Sequence, residues 1–259
     1  MVPGREHTEL SVTALFIWFD MSENYRIIRN YENLQKRIYE GAGPYNIPII
    51  AKAHILPDNW IGFNYAKGCE DPDVHGVHFF LDDYQFMRIW TDADRYAEML
   101  RKFQVVCAPD FSTYTDFPKA VQIWNHYRKH WCAAYWQEYG IIVIPTISWS
   151  DESSYEWCFD GEPTDSIVAV SSVGTQDDEE CAKLFDLGFA EMVKRLSPSK
   201  IVMYGDIPDK CYEYGIELVH IEAFHKKWRK CKRCKIPLHN GRCIICGSPY
   251  TPDGAAAGQ

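Results

Sequence analysis

Short, almost continuously apolar runs recur along the first 224 residues, and they constrain the fold more than any other feature of this sequence. Three of them, at 77–81, 140–147 and 166–172, contain no Asp, Glu, Lys or Arg. Strands that are buried on both faces have this composition, as in parallel sheets covered by helices. The predicted strands are 47–53, 60–65, 77–81, 104–108, 141–147, 166–171, 200–204 and 217–221.

Longer amphipathic segments separate these runs. The periodicity predicts helices over 92–102, 118–139 and 177–196, and an earlier helix over 22–41 that Ser22 can cap. Alternation of strands and helices predicts an α/β fold. Eight strands favour a (β/α)-barrel-like closure, regular or incomplete. An open, doubly wound sheet is the alternative.

Four cysteines near the C-terminus follow the spacing C-x2-C-x8-C-x2-C: Cys231, Cys234, Cys243 and Cys246. Two such pairs present four thiolates to one ion and complete a tetrahedral Zn²⁺ site. No ligand position is left for water, so the spacing predicts a structural zinc ribbon. A pair of redox-active CxxC turns is the alternative. The other six cysteines are scattered, unlike a disulfide framework.

Charge divides the chain into an acidic body and a basic C-terminal part. Residues 225–259 hold eight Lys or Arg and one acid, whereas the whole chain carries −9. We therefore predict a body at 1–224, a basic zinc ribbon at 225–250 and a disordered tail at 251–259. The ribbon's cations suit contacts with nucleic-acid phosphates. Alternatively, they keep the ribbon soluble or dock it on an acidic surface.

Membrane association is not expected from this sequence. No apolar run approaches the roughly 18 residues that a membrane helix needs. The first ten residues lack the basic start and apolar stretch of a signal peptide. A cytoplasmic location is the expectation.

Acidic residues follow several predicted strands. In α/β folds, binding and catalytic groups gather at the carboxyl ends of the strands. Carboxylates gathered there can bind Mg²⁺ or Mn²⁺ or act as acids and bases. The alternative is that such acids cap the helices that follow. The candidate catalytic residues are Asp82, Asp83, Asp110 and Asp206.

A second set of residues is predicted to bind substrate. Asn125 and Arg128 lie three residues apart on one face of the predicted helix 118–139, a spacing that suits an anion clamp. Alternatively, Arg128 has a structural role and pairs with an acidic residue of the body. The other candidates lie beside predicted strand ends, and they are Ser112, Trp149, Ser150 and Gly174.

Several short segments together make the chain resemble the bacterial and phage family catalogued as domain of unknown function 4417. The resemblance spans roughly residues 30–206 and implies a role in phage or mobile-element biology, without a reaction or a catalytic residue. The matching segments are 46–48, 60–64, 77–83, 109–112, 125–128 with Trp131, 140–149, 158–161, 168–174 and 204–205.

Three functions are compatible with these patterns. The first is an enzyme that acts on a nucleotide or nucleic acid, with the acids at the strand ends as its site and the ribbon as the nucleic-acid contact. The second is a non-catalytic binding protein, either a DNA mimic that uses the acidic body or a binder of a host protein. The third is a nucleotide sensor.

Overall fold

A computed structural model describes residues 36–176, 178–223 and 245–246. The chain divides into two compact units, Met1–Lys36 and Arg37–Gln259, and the fold described below belongs to the second. Most of the predicted helix 22–41 lies outside the described residues, and its last residue, Gly41, starts a strand instead. Of the predicted zinc ligands, Cys231, Cys234 and Cys243 lie outside the described residues, as does the tail at 251–259.

The described residues form nine strands and five α-helices. The strands are β1 Gly41–Ala42, β2 Ile47–Pro48, β3 Asn59–Gly62, β4 His75–His78, β5 Val105–Cys107, β6 Val143–Ile144, β7 Ile167–Ser171, β8 Lys200–Tyr204 and β9 Glu217–Ile221. The helices are α1 Phe63–Ala66, α2 Arg88–Thr91, α3 Ala93–Leu100, α4 Lys119–Glu138 and α5 Glu179–Leu196.

Two parallel sheets dominate the described part of the chain. One has the order β3-β4-β5-β6 and the other β7-β8-β9, and a parallel bridge between Thr146 and Ala169 joins their neighbouring edges. Helices connect most of the successive strands. These observations confirm the predicted α/β class.

The first predicted strand, 47–53, is wrong in its extent and its pairing. Only Ile47–Pro48 is extended into a strand, and it pairs antiparallel with Gly41–Ala42, apart from the parallel sheets. Pro48 has no N–H to donate to a ladder. Its carbonyl instead accepts a hydrogen bond from the His130 ring.

Alternate residues of the strands pack into different layers, as the two-residue period of a strand requires. Val77 and Val106 pack in a core with α1 to α4, whereas Val168 and Met203 pack in a second core with α5. The opposite faces of the strands form a third buried cluster, drawn from strands and the segments beside them. Its buried members are Ala53, Phe80, Val105, Cys107, Ile144, Ile167, Ala169, Val202, Tyr204, Ile221 and Ala223.

Two aromatic side chains of this third cluster come from distant strands. Phe80 lies two residues beyond β4, and its ring stacks on Tyr204 of β8 with centroids 4.8 Å apart. The His78 ring of β4 lies 5.0 Å from the same tyrosine ring. Since β5, β6 and β7 lie between β4 and β8 in the strand order, the strands curve enough to bring these side chains together.

Candidate active site at the carboxyl ends of β4 and β5

Helix α4 is the element on which this site is built, and it buries polar side chains on several faces. It begins directly after Pro118, which cannot donate a backbone hydrogen bond and is tolerated at a helix start. Buried polar groups normally have hydrogen-bond partners, so each of these side chains fixes a neighbouring segment against the helix. They are Gln122, Asn125, His126, Arg128, Lys129 and His130.

Asp83 and Ser112 join the segments that follow β4 and β5. The Ser112 hydroxyl donates to one Asp83 carboxylate oxygen at 2.8 Å, and its backbone N–H lies 3.2 and 3.3 Å from the two oxygens. Burial raises the pKa of Asp83 above its ordinary value, although the Ser112 hydrogen bonds and the Arg128 charge oppose that rise. The two predicted residues therefore link the loops that follow β4 and β5.

Asn125 and Arg128 hold the loop after β5 from the side of helix α4. The Asn125 side-chain amide donates to the Ser112 carbonyl at 2.6 Å, and the Arg128 guanidinium donates to the Asn125 side-chain oxygen at 2.5 Å. The guanidinium also lies 4.1 Å from the centroid of the Phe111 ring, a cation–π contact. The predicted pair on one helix face is thus present, and it positions the loop after β5.

Asp110 occupies the loop that follows β5, between Pro109 and Phe111. Burial raises the pKa of its carboxyl to about 7, with the Lys129 charge lowering the pKa and the Asp83 charge raising it. A carboxyl with this pKa exchanges a proton near neutral pH, which is the property of a general acid or base. Strongly shifted groups of this kind concentrate at functional sites.

A buried charge network lies behind this loop. The Lys129 ammonium donates to the Thr146 carbonyl at 2.7 Å and to a Glu162 carboxylate oxygen at 2.9 Å. The same oxygen lies 2.9 Å from Nε2 of His130. The side chains of Lys129, Glu162 and His130 are 2%, 0% and 0% exposed.

The charges around Glu162 fix its ionisation. Burial alone would raise the pKa of this carboxyl, but Lys129 and His130 hold the pKa below its usual range through their charges and hydrogen bonds. Glu162 is therefore an anion in the folded protein.

His126 lies one helical turn before His130 and contacts its ring, with centroids 4.4 Å apart. Its Nε2 faces the Asp160 carbonyl at 3.2 Å, and its Nδ1 is buried without a hydrogen-bond partner among the described residues. Burial lowers the pKa of this imidazole well below its ordinary value, and the neighbouring Lys129 and His130 lower it further. The ring is therefore neutral.

The structure places two other predicted acids after strands, but they take no part in the hydrogen bonds that join Asp83, Ser112 and Asn125. Asp82 is exposed and accepts a hydrogen bond at 3.3 Å from the Gln85 side chain. Asp206 follows β8, in the other sheet, and its carbonyl accepts a hydrogen bond at 2.5 Å from the Ser172 hydroxyl.

The other predicted substrate-binding residues are Trp149, Ser150 and Gly174. Ser150 contacts α4, Trp149 contacts α5, and Gly174 has a left-handed backbone conformation. The Ser150 hydroxyl donates at 2.7 Å to Gln122 of α4. The Trp149 indole donates at 3.2 Å to a carbonyl of α5 and packs over Gly188. Gly174 has φ +76°, and open space surrounds the position where a side chain would begin.

A basic cleft of about 560 Å³ lies beside α1 and α3. The Arg88 guanidinium lies 5.0 Å from the Phe63 ring centroid and 5.7 Å from that of Tyr96. Clustered cations suit polyanions, and the half-buried Tyr96 ring lies beside them. Within the described part of the chain, its charged lining residues are Lys67, Arg88, Arg95, Lys102 and Glu98.

The sequence-based prediction missed the buried network, namely His126, Lys129, His130 and Glu162. One signal was present, because the two histidines lie four residues apart in the predicted helix 118–139 and so share a face. The partner carboxylate belongs to a loop more than thirty residues away, which helical spacing does not indicate.

One protein family and two phage proteins are similar to this chain. The family described as domain of unknown function (DUF4417) matches residues 39–222. Gene 1 protein of Mycobacterium phage L5 is 36% identical over 171 residues, which cover 65% of this chain and 75% of the relative. Gene 1 protein of Mycobacterium phage D29 is 36% identical over 222 residues, covering 85% and 81%.

No solved structure gives a significant match. Across the described residues, every helix is too short or too polar to cross a bilayer.

Proposed function

The chain belongs to the DUF4417 family, and from this premise we propose that it is a phage-type enzyme that acts on a nucleotide or nucleic acid through proton transfer at Asp110. The observation that carries the proposal is the convergence of five predicted residues after two adjacent parallel strands. They are Asp83, Asp110, Ser112, Asn125 and Arg128.

Within this group the environments of the two carboxyls differ. Ser112 donates to Asp83 through its hydroxyl and its N–H, and these hydrogen bonds oppose the rise in the pKa of Asp83 that burial causes. Asp110 instead retains a proton up to a pH of about 7 because burial disfavours its anion. Two carboxyls with different proton affinities are a recurrent basis of acid–base catalysis. Asp110 is the proton-transfer group, and Asp83 positions the loop.

A Mg²⁺ or Mn²⁺ ion at these carboxylates was expected from the sequence and stays a prediction. Such ions bind ionised carboxylates. Because Asp110 holds its proton near neutral pH, proton transfer is the use of this carboxyl that we favour.

Two basic surfaces support a phosphate-bearing substrate. The first is the cleft lined by Lys67, Arg88, Arg95 and Lys102. The second is the predicted ribbon at 225–250, whose sequence holds all eight Lys and Arg beyond residue 225. The relatives come from Mycobacterium phages, a setting in which nucleic acid is an available substrate.

We further infer a barrel-like closure of the seven parallel strands. Neighbouring strands lie about 4.8 Å apart, so the four steps from β4 to β8 would span about 19 Å in a flat sheet. The stack of Phe80 on Tyr204, with centroids at 4.8 Å, supports strong curvature. A barrel directs all strand ends, and hence Asp83 and Asp110, to one rim.

The test compares the wild-type full chain with Asp110→Asn on nucleoside triphosphates, single- and double-stranded DNA and RNA. Products are followed by mass spectrometry, with Mg²⁺ or Mn²⁺ present or omitted. We expect turnover by the wild type and its loss in Asp110→Asn without a lower melting temperature.

Asp82→Asn is the matched control, since Asp82 is the exposed neighbour of Asp83 and lies outside the Ser112 hydrogen bonds. It should keep full activity, whereas Asp83→Asn should lose most of it. An Asp110→Asn protein that stays fully active refutes the proposal. A wild type without turnover that binds a host protein tightly supports the DNA-mimic alternative instead.

A further inference from the structure

We propose that His126, His130 and Glu162 form a buried binding site for a divalent transition-metal ion of the Zn²⁺ class. One nitrogen of each histidine and one oxygen of Glu162 lie within 4.8 Å of one another. Ligand atoms that are 2.0–2.2 Å from a common ion lie about 3–3.5 Å apart. The group therefore needs only a small contraction to hold an ion.

The two histidines are oriented as metal-binding histidines usually are. A ligating histidine commonly donates its other ring N–H to a backbone carbonyl or a carboxylate, which fixes the ring and its tautomer. Nδ1 of His130 lies 2.8 Å from the Pro48 carbonyl, and Nε2 of His126 lies 3.2 Å from the Asp160 carbonyl. A ring that donates from this nitrogen has its other nitrogen available to an ion.

Two candidate ligand atoms lack hydrogen-bond partners among the described residues. Within that part of the chain, Nδ1 of His126 is buried without a partner, and so is Oε2 of Glu162. Nε2 of His130 lies 2.9 Å from Oε1 of Glu162, close to the separation of two ligand atoms on one ion. Unsatisfied buried polar atoms are costly and call for an explanation. A cation bound by the three residues satisfies all of them.

Lys129 is compatible with this site. Its ammonium contacts Oε1 of Glu162 and leaves Oε2 for the ion. Ligating carboxylates are usually held by a further hydrogen bond of this kind. Two imidazoles and one carboxylate are ligands that Zn²⁺ and neighbouring divalent ions accept.

The burial of the ligands indicates a structural ion. His126 is 1% exposed, and the side chains of His130 and Glu162 are fully buried, so a substrate cannot reach the ion. The ion would fasten α4 to the loop that contains Glu162. It uses none of the residues of the Asp110 centre or of the predicted four-cysteine ribbon, and it does not depend on the proposed reaction.

The test measures bound metal in the full chain after incubation with Zn²⁺ and removal of excess. The ribbon site is first removed by Cys231→Ser with Cys234→Ser, so that the remaining zinc reports on the body. We expect about one zinc ion per chain to remain. Adding Glu162→Gln or His126→Gln to this background should remove it.

Two further variants in the same background serve as controls. His78→Gln changes a buried histidine outside the group and should leave the zinc content unchanged. Cys69→Ser tests the more exposed group of Cys69, Asp71 and His75, and it should also leave the zinc content unchanged.

Cobalt and a chelator give readouts that hold even if a ligand variant folds poorly. Co²⁺ bound to the cysteine-pair variant should absorb through its d–d transitions without thiolate charge transfer. EDTA should lower the melting temperature of that variant, because removing a ligand of the native state removes its stabilisation. Zinc content that stays near zero in the cysteine-pair variant, or that is insensitive to Glu162 and His126, overturns the proposal.

Discussion

Replacing Lys129 with Met should destabilise the protein far more than replacing an exposed lysine of the same helix. Met keeps most of the side-chain volume and removes the charge. The substitution deletes the hydrogen bonds to the Thr146 carbonyl and to Glu162, at 2.7 and 2.9 Å. It leaves the Glu162 carboxylate fully buried with His130 as its remaining neighbour.

The expected cost follows from these contacts. Removing one partner of a buried ion pair destabilises a protein by about 3–5 kcal/mol. The loss here should lie at the lower end of that range, since His130 still faces the carboxylate. Lys119 of the same helix pairs at 3.3 Å with Glu156, and the two side chains are 46% and 74% exposed. Such surface pairs contribute about 0.2–1 kcal/mol.

The assay is urea unfolding at equilibrium for the wild type, Lys129→Met, Lys119→Met and the double variant Lys129→Met with Glu162→Gln. EDTA in every sample keeps the comparison free of bound metal. The double variant should recover part of the loss, because it no longer buries an unpaired anion. Equal, small effects of Lys129→Met and Lys119→Met would refute the reasoning.

Three more predictions concern pH and packing. Asp110→Asn should become more stable than the wild type as pH rises from about 4 to 7, by up to about 4 kcal/mol. The pKa of Asp110 is raised to about 7 in the folded protein, so the wild type loses folding stability over this range as the carboxyl ionises in the unfolded chain first. Urea unfolding midpoints across this pH range measure the effect, and parallel curves for the two proteins contradict it. Gly188→Ala should lower the melting temperature, although Ala has the better helix propensity. The new Cβ atom would lie 2.1 Å from the Trp149 indole nitrogen, which forces the packing to shift. An unchanged or higher melting temperature contradicts this prediction. A double-mutant cycle of Phe80→Leu and Tyr204→Leu should give a coupling of about 0.5–1.5 kcal/mol; no coupling would argue against a curved sheet.

The apolar runs predicted the sheets well, because a strand buried on both faces needs no partner information to be recognised. Shorter elements were missed. Helix α1, Phe63–Ala66, has four residues and so cannot display a helical period. The segment 60–65 was predicted as strand throughout, but the strand ends at Gly62.

The candidate site was predictable where it depends on adjacency along the chain. Asp83 and Ser112 follow strands that are neighbours in both sequence and sheet, so their meeting follows from the parallel order. Asp206 follows a strand of the other sheet, and its distance from Asp110 depends on how far the sheets curve. Glu162 meets α4 only through the folding of a long connection, for which the sequence carries no periodic signal.

The composition of α4 argues that this helix was selected for chemistry as well as stability. Well-packed apolar residues often replace a buried ion pair with no loss of stability or with a gain. A helix that buries Arg128, Lys129, His126 and His130 against the sheet therefore gives up stability that a Leu-rich helix would have. The charges have two consequences that apolar residues cannot provide. Arg128 fixes the Ser112 turn through Asn125, and Lys129 lowers the pKa of Asp110 from the still higher value that burial alone would set. The same helix thus positions the loop and sets its proton affinity.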